Sequence, residues 1–320
     1  MKSHRCWDRV VDPVNVWHAW REYGAGKRRR PAVARFALDA PRHVAVLARE
    51  LADGSWRPGS YRLMRITDPK RRLIAAAPVR DRVVHHALHR VLSPLVDRRF
   101  IDHSYACLPG RGSHRAILRF REGLRRHRFV IQLDVRRYFY RVDRAILRDL
   151  MCRHLREAPA RDLVAKILDS GAGLYADPDV ASFLGWRHPG EPGRGLPIGN
   201  LTSQWWGNLY LDGLDHHVQR VLQVPMYQRY MDDLVLFADD AAALAHHREA
   251  IAAWLDEHRH LELRDPAARP RKTRGRHATL GYVVSRQGIE PGRRIRQRLR
   301  AAGAESPTGV AARARAWQFG

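Results

Sequence analysis

At 320 residues the chain is long for one compact core, so two or three subdomains are expected. Its 58 lysines and arginines against 33 acidic residues leave a formal net charge of +25. This charge favours a polyanionic partner, with nucleic acid first and an acidic membrane surface as the alternative. No apolar run approaches the roughly 20 residues that span a bilayer. Because the N-terminus lacks a signal-peptide core and the three cysteines are scattered, we expect a cytoplasmic protein without disulfides or a cysteine zinc site.

The first part of the chain predicts helices around one short β-hairpin. Residues 1–60 have a mostly helical pattern. The segments 61–66 and 73–77 predict two short strands, and apolar residues at helical spacing predict a helix over 81–96. Ser113 is the predicted N-cap of the next helix.

The second part mixes strands with longer helices. An apolar run over 129–133 predicts a strand that ends at Asp134. The further predicted elements are a helix over 143–155, a loop-rich segment over 171–195, a helix over 201–222, a β-hairpin over 226–237, a helix over 241–258 and a strand over 278–285.

Two adjacent acids, Asp232 and Asp233, interrupt the apolar hairpin. Pairing of residues 226–230 with residues 234–237 places both acids at the tip, which avoids the cost of a buried charge. Asp is common in turns, so an ordinary acidic turn is one interpretation. The next acidic pair, Asp239–Asp240, precedes a helix and is predicted to cap it.

Asp134 supports a second interpretation, because it is another carboxylate at the exit of an apolar strand. Strand-end carboxylates can converge on hard divalent cations, which prefer oxygen ligands. Two such ions about 4 Å apart stabilise the attacking and leaving oxygens of phosphoryl transfer. A basic chain with this pattern is predicted to be a polymerase or a nuclease.

Six short blocks follow one another in a fixed order between residues 81 and 282. They are Asp81-Arg-Val-Val84, Tyr105-Ala-Cys-Leu-Pro-Gly-Arg-Gly112, Val130-Ile-Gln-Leu-Asp-Val-Arg-Arg-Tyr-Phe139, Gly195-Leu-Pro-Ile-Gly-Asn-Leu-Thr-Ser-Gln204, Tyr230-Met-Asp-Asp233 and Thr279-Leu-Gly-Tyr282. Together they resemble a bacterial, group II intron-like reverse transcriptase over roughly residues 56–300.

The resemblance implies an α+β, right-hand polymerase fold of fingers, palm and thumb, with an antiparallel palm sheet and a truncated thumb. The implied domains are an N-terminal helical extension (1–55), fingers (56–128), the first catalytic palm strand (129–143), a connection between fingers and palm (144–194), the palm (195–285) and a partial thumb (286–320).

The resemblance also implies a two-metal site for Mg²⁺, with Mn²⁺ as a substitute. Asp134 and Asp232 would bind the ions, with Asp233 beside them as the third catalytic acid, and Val135 would add its backbone carbonyl. Phe139 would lie against the sugar 2′ position of the incoming nucleotide. A core aromatic is the alternative for Phe139.

Further binding residues are carried over from the same blocks. The nucleotide-binding set comprises Lys70, Arg72, Ile198, Gly199 and Lys272, and the template- and primer-binding set comprises Arg111, Gln204, Tyr230, Met231, Leu280 and Gly281. For Lys70 and Arg72, an exposed basic turn is the alternative.

The assignment to a subfamily depends on Ile198 and Gln204. The motif Ile-Gly-x-x-x-Ser-Gln resembles that of the error-prone reverse transcriptases of diversity-generating retroelements. Replacement by Ile198 as a neutral packing change is the alternative. The implied partners are a template RNA, a DNA or cDNA primer, deoxynucleoside triphosphates and a small, basic, oligomeric accessory protein, without a membrane. The alternatives are another group II intron-like enzyme and a non-catalytic RNA-binding remnant.

Overall fold

The structure, a computed structural model, describes residues 6–301 except 69 and 154. The predicted thumb beyond residue 301 therefore lies outside the described residues. These residues form two compact units. Within the described range, unit 1 comprises 6–100, 135–214 and 254–262, and unit 2 comprises 101–134, 215–253 and 263–301.

Helices and antiparallel strands alternate irregularly along the chain, which gives an α+β fold as predicted. In chain order the elements are α1 (Trp7–Val11), α2 (Pro13–Gly24), α3 (Pro31–Leu38), α4 (Ala40–Ala52), β1 (Arg62–Ile66), β2 (Arg72–Ala76), α5 (Val79–Val96), α6 (Ser113–Arg126), β3 (Phe129–Asp134), α7 (Tyr138–Arg141), α8 (Arg144–Cys152), α9 (Ala158–Asp169), α10 (Pro178–Leu184), α11 (Leu201–Tyr210), α12 (Asp212–Arg220), β4 (Met226–Tyr230), β5 (Asp233–Ala238), α13 (Ala241–Arg259), β6 (Arg271–Lys272), β7 (His277–Thr279), β8 (Tyr282–Val284), β9 (Ile289–Pro291) and α14 (Arg293–Ala301).

Unit 1 is mainly helical and carries one β-hairpin. Helix α2 begins with Asp12 as its N-cap and Pro13 at its first position, and it packs on α5. Strands β1 and β2 pair antiparallel, from Arg62 opposite Ala76 to Ile66 opposite Arg72. Strand β2 buries Leu73 and Ala75, whereas all of β1 is exposed.

Unit 2 is built on a sheet in the order β4–β5–β3–β6, in which neighbouring strands are antiparallel. Side chains alternate between the two faces of a strand, so one face carries residues 130, 132 and 134. At one end this face packs on α6 and β8 and forms the core of the unit. The buried members of this core are Ile117, Phe120, Leu124, Val130, Met226, Val235, Phe237, Tyr282 and Val284.

Three predicted elements differ from the structure. The strand over 278–285 is the hairpin β7–β8, because Leu280 (φ 47°) and Gly281 (φ 82°) both have the positive φ of a type I′ turn. The helix over 201–222 is interrupted at Leu211, between α11 and α12. Gly112, with φ 110°, occupies the N-cap of α6, and Ser113 is its first helical residue.

Other predicted elements are confirmed. The predicted hairpin is β4–β5, and the strand that ends at Asp134 is β3. Asp240 caps α13 by accepting from the amides of Ala242 and Ala243. In the part of the chain that the structure describes, no helix is both long and apolar enough to cross a membrane.

Candidate active site

The hairpin β4–β5 turns through two residues, Met231 and Asp232. Tyr230 and Asp233 are the last cross-strand pair before the turn. The predicted three-residue connection is therefore one residue too long, because Asp233 already belongs to β5. Met231 is buried and has φ 56°, a backbone conformation that non-glycine residues rarely adopt.

Two carboxylates meet across the sheet at this point. Asp134, the last residue of β3, is the cross-strand partner of Asp233. Residues directly opposite each other on antiparallel strands have Cβ atoms about 4.5–5.5 Å apart, and like charges there are destabilising. Asp232 follows in the turn beside this pair. Negative charge is therefore concentrated at the ends of the neighbouring strands β3 and β5, which suits a site for cations.

Arg264, in the loop after α13, is the cationic side chain that the structure pairs with Asp134. Its Nη1 lies 2.8 Å from Asp134 Oδ2, and its backbone N–H donates to the Asp134 carbonyl at 2.7 Å. Lys272 rather than Arg264 was predicted from the sequence as a nucleotide-binding cation, and that role of Lys272 stays a prediction. Lys272 lies in β6 opposite Phe129, at the other end of β3 from Asp134.

The hairpin turn is supported from the opposite face of the sheet by a buried ion pair. Arg229 and Asp215 are both completely buried, and Arg229 Nη2 lies 2.6 Å from Asp215 Oδ2. Tyr227 donates its hydroxyl to Asp215 at 2.7 Å. Arg229 Nη1 also donates to the Met231 carbonyl at 3.0 Å, which ties the pair to the turn that carries Asp232.

The turn at Leu280 and Gly281 lies on the sheet face that carries Asp134. Gln132, two residues before Asp134, donates its side-chain amide to the Ala278 carbonyl at 3.0 Å. Leu280 packs against the apolar core on the same face. The predicted primer-binding turn therefore lies on the same face of unit 2 as Asp134 and its cross-strand partner Asp233.

Tyr230 and Arg111 are the other predicted binding residues of unit 2. Tyr230 is half-buried, and burial, the largest cause, raises the pKa of its hydroxyl, with a further contribution from the nearby Asp233 carboxylate. Arg111 braces its own loop by donating to the carbonyls of Ile101 and Ser104, the latter at 2.8 Å. Its role in template binding stays a prediction.

In unit 1, Phe139 is joined to the loop over 195–199. Leu196 donates its amide to the Phe139 carbonyl at 2.7 Å, and Ala75 in β2 donates its amide to the Ile198 carbonyl at 2.8 Å. Gly199 has φ 117°, and a Cβ there would lie 3.1 Å from the Ile74 side chain. Phe139, Ile198 and Gly199 thus lie together beside strand β2.

The other predicted site residues of unit 1 are Lys70, Arg72, Val135 and Gln204. Lys70 and Arg72 are exposed, in the turn between β1 and β2 and at the start of β2. Gln204 is exposed on α11, and Val135, directly after Asp134 in the chain, is completely buried. The role of Lys70 and Arg72 in nucleotide binding stays a prediction.

The donor atoms of the three acids suit Mg²⁺, which prefers oxygen ligands. Among residues 6–301, apart from 69 and 154, no group of three or more His, Cys, Asp or Glu side chains is arranged to hold a metal ion. This is compatible with Mg²⁺, because its sites commonly use one or two carboxylates together with water and substrate phosphates. The opposed pair of Asp134 and Asp233 therefore fits a magnesium-dependent phosphoryl-transfer site.

An antiparallel sheet in an α+β fold, with acids at the end of a central strand and in a neighbouring hairpin, is the arrangement expected of a template-dependent polymerase. Residues 66–265 match the family described as "Reverse transcriptase (RNA-dependent DNA polymerase)". The chain belongs to the reverse transcriptase family.

Two curated relatives match part of the chain, and the name of one of them describes it as encoded by a group II intron. "Protein YkfC" of Escherichia coli (strain K12) is 27% identical over 192 residues, which cover 58% of this chain and 46% of the relative. "Group II intron-encoded protein LtrA" of Lactococcus lactis subsp. cremoris is 23% identical over 178 residues, which cover 55% of this chain and 28% of the relative. The aligned part therefore spans less than half of either relative. These comparisons show no similarity specific to diversity-generating retroelements.

Among solved structures, a similarity is found to "Structure of telomerase from Candida albicans in complexe with TWJ fragment of telomeric RNA". The TM-score is 0.49 at 11% sequence identity, and the match covers 74% of this chain and 47% of that chain.

Proposed function

We propose that the chain is an RNA-directed DNA polymerase that copies an RNA template into cDNA. The observation that carries the proposal is the cross-strand pair of Asp134 and Asp233 beside the turn that contains Asp232. Binding of RNA by itself gains nothing from clustered carboxylates, because they repel phosphates. A reaction that transfers a phosphoryl group to an oxygen uses them as cation ligands.

The reaction joins the 3′ oxygen of the primer to the α-phosphorus of a deoxynucleoside triphosphate and releases pyrophosphate. Asp134 and Asp232 would hold Mg²⁺, with Mn²⁺ as a substitute, and Asp233 and the Val135 carbonyl would complete the set. The ions, when bound, neutralise charge on the triphosphate and on the attacking oxygen.

The remaining residues of the proposed site bind and orient the two strands. The Phe139 ring limits the space at the sugar 2′ position, and the loop with Ile198 and Gly199 meets the nascent base pair. The Leu280–Gly281 turn holds the primer. The domain boundaries of fingers, palm and thumb given above remain part of this proposal.

The experiment is primer extension on a homopolymer RNA with Mg²⁺, comparing Asp134→Asn and Asp232→Asn with Asp240→Asn. The first two variants are expected to lose synthesis and keep RNA binding, because an amide keeps the size of the carboxylate and loses its charge. Asp240→Asn is the matched control, because Asn caps a helix as well as Asp does. More than a trace of synthesis by Asp134→Asn or Asp232→Asn would overturn the metal assignment, and an inactive wild type would favour the RNA-binding remnant.

We further propose that the enzyme is the error-prone reverse transcriptase of a diversity-generating retroelement, supported by Ile198 and Gln204 in the block 195–204. Ile198 offers an apolar, β-branched side chain where an amide could hydrogen-bond. Misincorporation is expected mainly opposite template adenines, which cDNA sequencing measures. If adenine errors are rare, a faithful group II intron-like reverse transcriptase replaces this assignment. The small basic accessory protein belongs to the same finer proposal.

A further inference from the structure

Tyr175 is a buried tyrosine in the connection between α9 and α10, 1% exposed. Its hydroxyl donates to the Leu196 carbonyl at 3.0 Å and accepts from the Ile198 amide at 3.3 Å. One oxygen thus satisfies two backbone groups on either side of Pro197. Because proline has no N–H, the loop has one donor fewer with which to hold itself.

The ring of Tyr175 fits against the same loop. Gly195 has φ 96°, and a Cβ at this position would lie 2.4 Å from the Tyr175 ring. A residue with a Cβ does not fit this contact in this backbone conformation, so the position requires glycine. The loop over 195–199 is therefore held at its start by the Tyr175 ring and at its middle by the Tyr175 hydroxyl.

Backbone hydrogen bonds also hold the loop. Gly195 donates its amide to the Val142 carbonyl at 2.8 Å at the start of the loop. Two further bonds, from Leu196 to the Phe139 carbonyl and from Ala75 to the Ile198 carbonyl, join residues of the proposed nucleotide site. Loss of the Tyr175 hydroxyl would leave these two contacts and release the segment between them. Burial, the largest cause, raises the pKa of Tyr175 well above its ordinary value, so the hydroxyl remains a donor at working pH.

We propose that Tyr175 is a positioning residue that sets the backbone of the 195–199 loop and thereby the selectivity of the polymerase for the correct nucleotide. The inference rests on the proposed function. Tyr175 touches neither nucleotide nor metal in this proposal and acts through Ile198. Ile198 presents an apolar side chain without hydrogen-bonding groups of its own, so its placement depends on the bonds made by its backbone.

The test compares Tyr175→Phe with Tyr140→Phe. Tyr140 belongs to the same aromatic cluster, with its ring centroid 4.8 Å from that of Tyr175. Within the described residues its hydroxyl has no hydrogen bond to the loop. Both substitutions remove one hydroxyl from the same cluster, and only Tyr175→Phe removes the two bonds to the loop.

Two readouts are needed. The first is hydrogen exchange at the Ile198 amide, which is expected to be protected in the wild type, to exchange about tenfold faster in Tyr175→Phe and to be unchanged in Tyr140→Phe. The second is steady-state nucleotide addition. In Tyr175→Phe we expect KM for the correct nucleotide to rise about three- to tenfold with kcat within about twofold, and discrimination against mismatched nucleotides to fall several-fold.

The outcomes separate the two proposals. A wild type without synthesis overturns the proposed function. Hydrogen exchange at the Ile198 amide would still test whether the Tyr175 hydroxyl holds the loop. An active wild type with unchanged KM and discrimination in Tyr175→Phe overturns the role of Tyr175. Equal effects in Tyr140→Phe would reduce that role to packing, and an unprotected Ile198 amide in the wild type would overturn it even if Tyr175→Phe failed to fold.

Discussion

At the scale of single residues, Arg264 is a cation beside the proposed metal site. Its side chain is 52% exposed and that of Asp134 is 27% exposed, so water screens their ion pair. Exposed ion pairs of this kind contribute about 0–1 kcal/mol. A divalent cation with oxygen ligands can therefore displace the guanidinium at small cost.

We predict that Arg264→Gln lowers the Mg²⁺ concentration for half-maximal synthesis by about two- to fivefold, because a competing positive charge is removed. The measurement is a Mg²⁺ titration of primer extension, together with direct Mn²⁺ binding by electron paramagnetic resonance. Arg274→Gln, at an exposed arginine of the same unit, is the control. A higher metal requirement in Arg264→Gln would show that the guanidinium supports the bound metal or triphosphate instead.

At the scale of elements, the hairpin β4–β5 depends on the buried pair of Arg229 and Asp215. A buried ion pair adds little to stability when both partners are replaced by well-packed apolar groups, but removal of one partner leaves an uncompensated charge. Here the surviving Arg229 would also remain bonded to the Met231 carbonyl in the turn. Stability and the geometry of the turn are therefore coupled.

We predict that Asp215→Asn lowers the free energy of unfolding by about 3–5 kcal/mol, since the buried guanidinium loses its counter-charge. Urea unfolding measures the change. Asp162→Asn is the matched control, because Asp162 also pairs with a cation, Lys166 at 2.7 Å, but is 57% exposed. Its effect is expected to stay below about 1 kcal/mol. Similar effects of the two substitutions would contradict the assigned burial of the Arg229–Asp215 pair.

Helix α5 carries three histidines whose pKa values are low, chiefly because burial disfavours the charged ring. Burial lowers the pKa of His85 to about 3, and the pKa values of His86 and His89 to about 4. Lys27, His89 and Arg82 lower the pKa of His86 further. Glu22 lies 3.7 Å from the His86 ring. These rings are neutral in the folded protein at pH 5 to 7.

We predict that the free energy of unfolding falls as the pH drops from about 6.5 to 5. In this range the unfolded chain binds protons at these histidines and the folded chain does not. Each such group contributes up to about 1.4 kcal/mol per pH unit, so the three together reach up to about 4 kcal/mol per unit. Urea unfolding at several pH values gives the slope, which His85→Gln should reduce and the exposed-site control His188→Gln should not.

At the scale of the whole molecule, local sequence patterns predicted the helices and strands better than they predicted the tertiary contacts. The β4–β5 hairpin was predictable because apolar strands flank an acidic turn. The position of Asp134 at a strand end was predictable because this residue ends an apolar run. Arg264 and Tyr175 were missed, since their contacts join segments 130 and about 20 residues apart in sequence. No local pattern distinguishes Arg264 from the other arginines of this chain. Its role becomes visible only when β3 and the loop after α13 are folded together.

The same limit applies to Lys272. The sequence places it after the helix α13, which is correct, but the antiparallel register of β6 pairs it with the first residue of β3. Five residues of extended strand span about 16 Å, so Lys272 and Asp134 lie at opposite ends of β3. Register is set by pairing between strands, and a two-residue strand carries too little pattern to reveal it.

The charge of the molecule is concentrated in places such as α14, which carries five exposed arginines and no acid. Its apolar side is anchored in unit 2, where Leu299 is buried and Ile295 packs against Gly281 and the apolar core. The arginines therefore form a fixed basic face next to the turn proposed to hold the primer. A fixed basic face favours a phosphate backbone, because its counterions are released on contact.

We predict that RNA affinity falls steeply with salt, with log affinity linear in log salt concentration and a slope of several units. If α14 contacts phosphate, Arg298→Gln reduces the slope by about 0.7–0.9 and weakens binding to all sequences alike. The double variant Arg276→Gln/Glu290→Gln is the control, because these two side chains already pair at 2.6 Å and their joint removal leaves the net charge unchanged. A nearly flat salt dependence in the wild type would mean that the basic surface does not bind a phosphate backbone. An unchanged slope in Arg298→Gln alone would move the RNA contact away from α14.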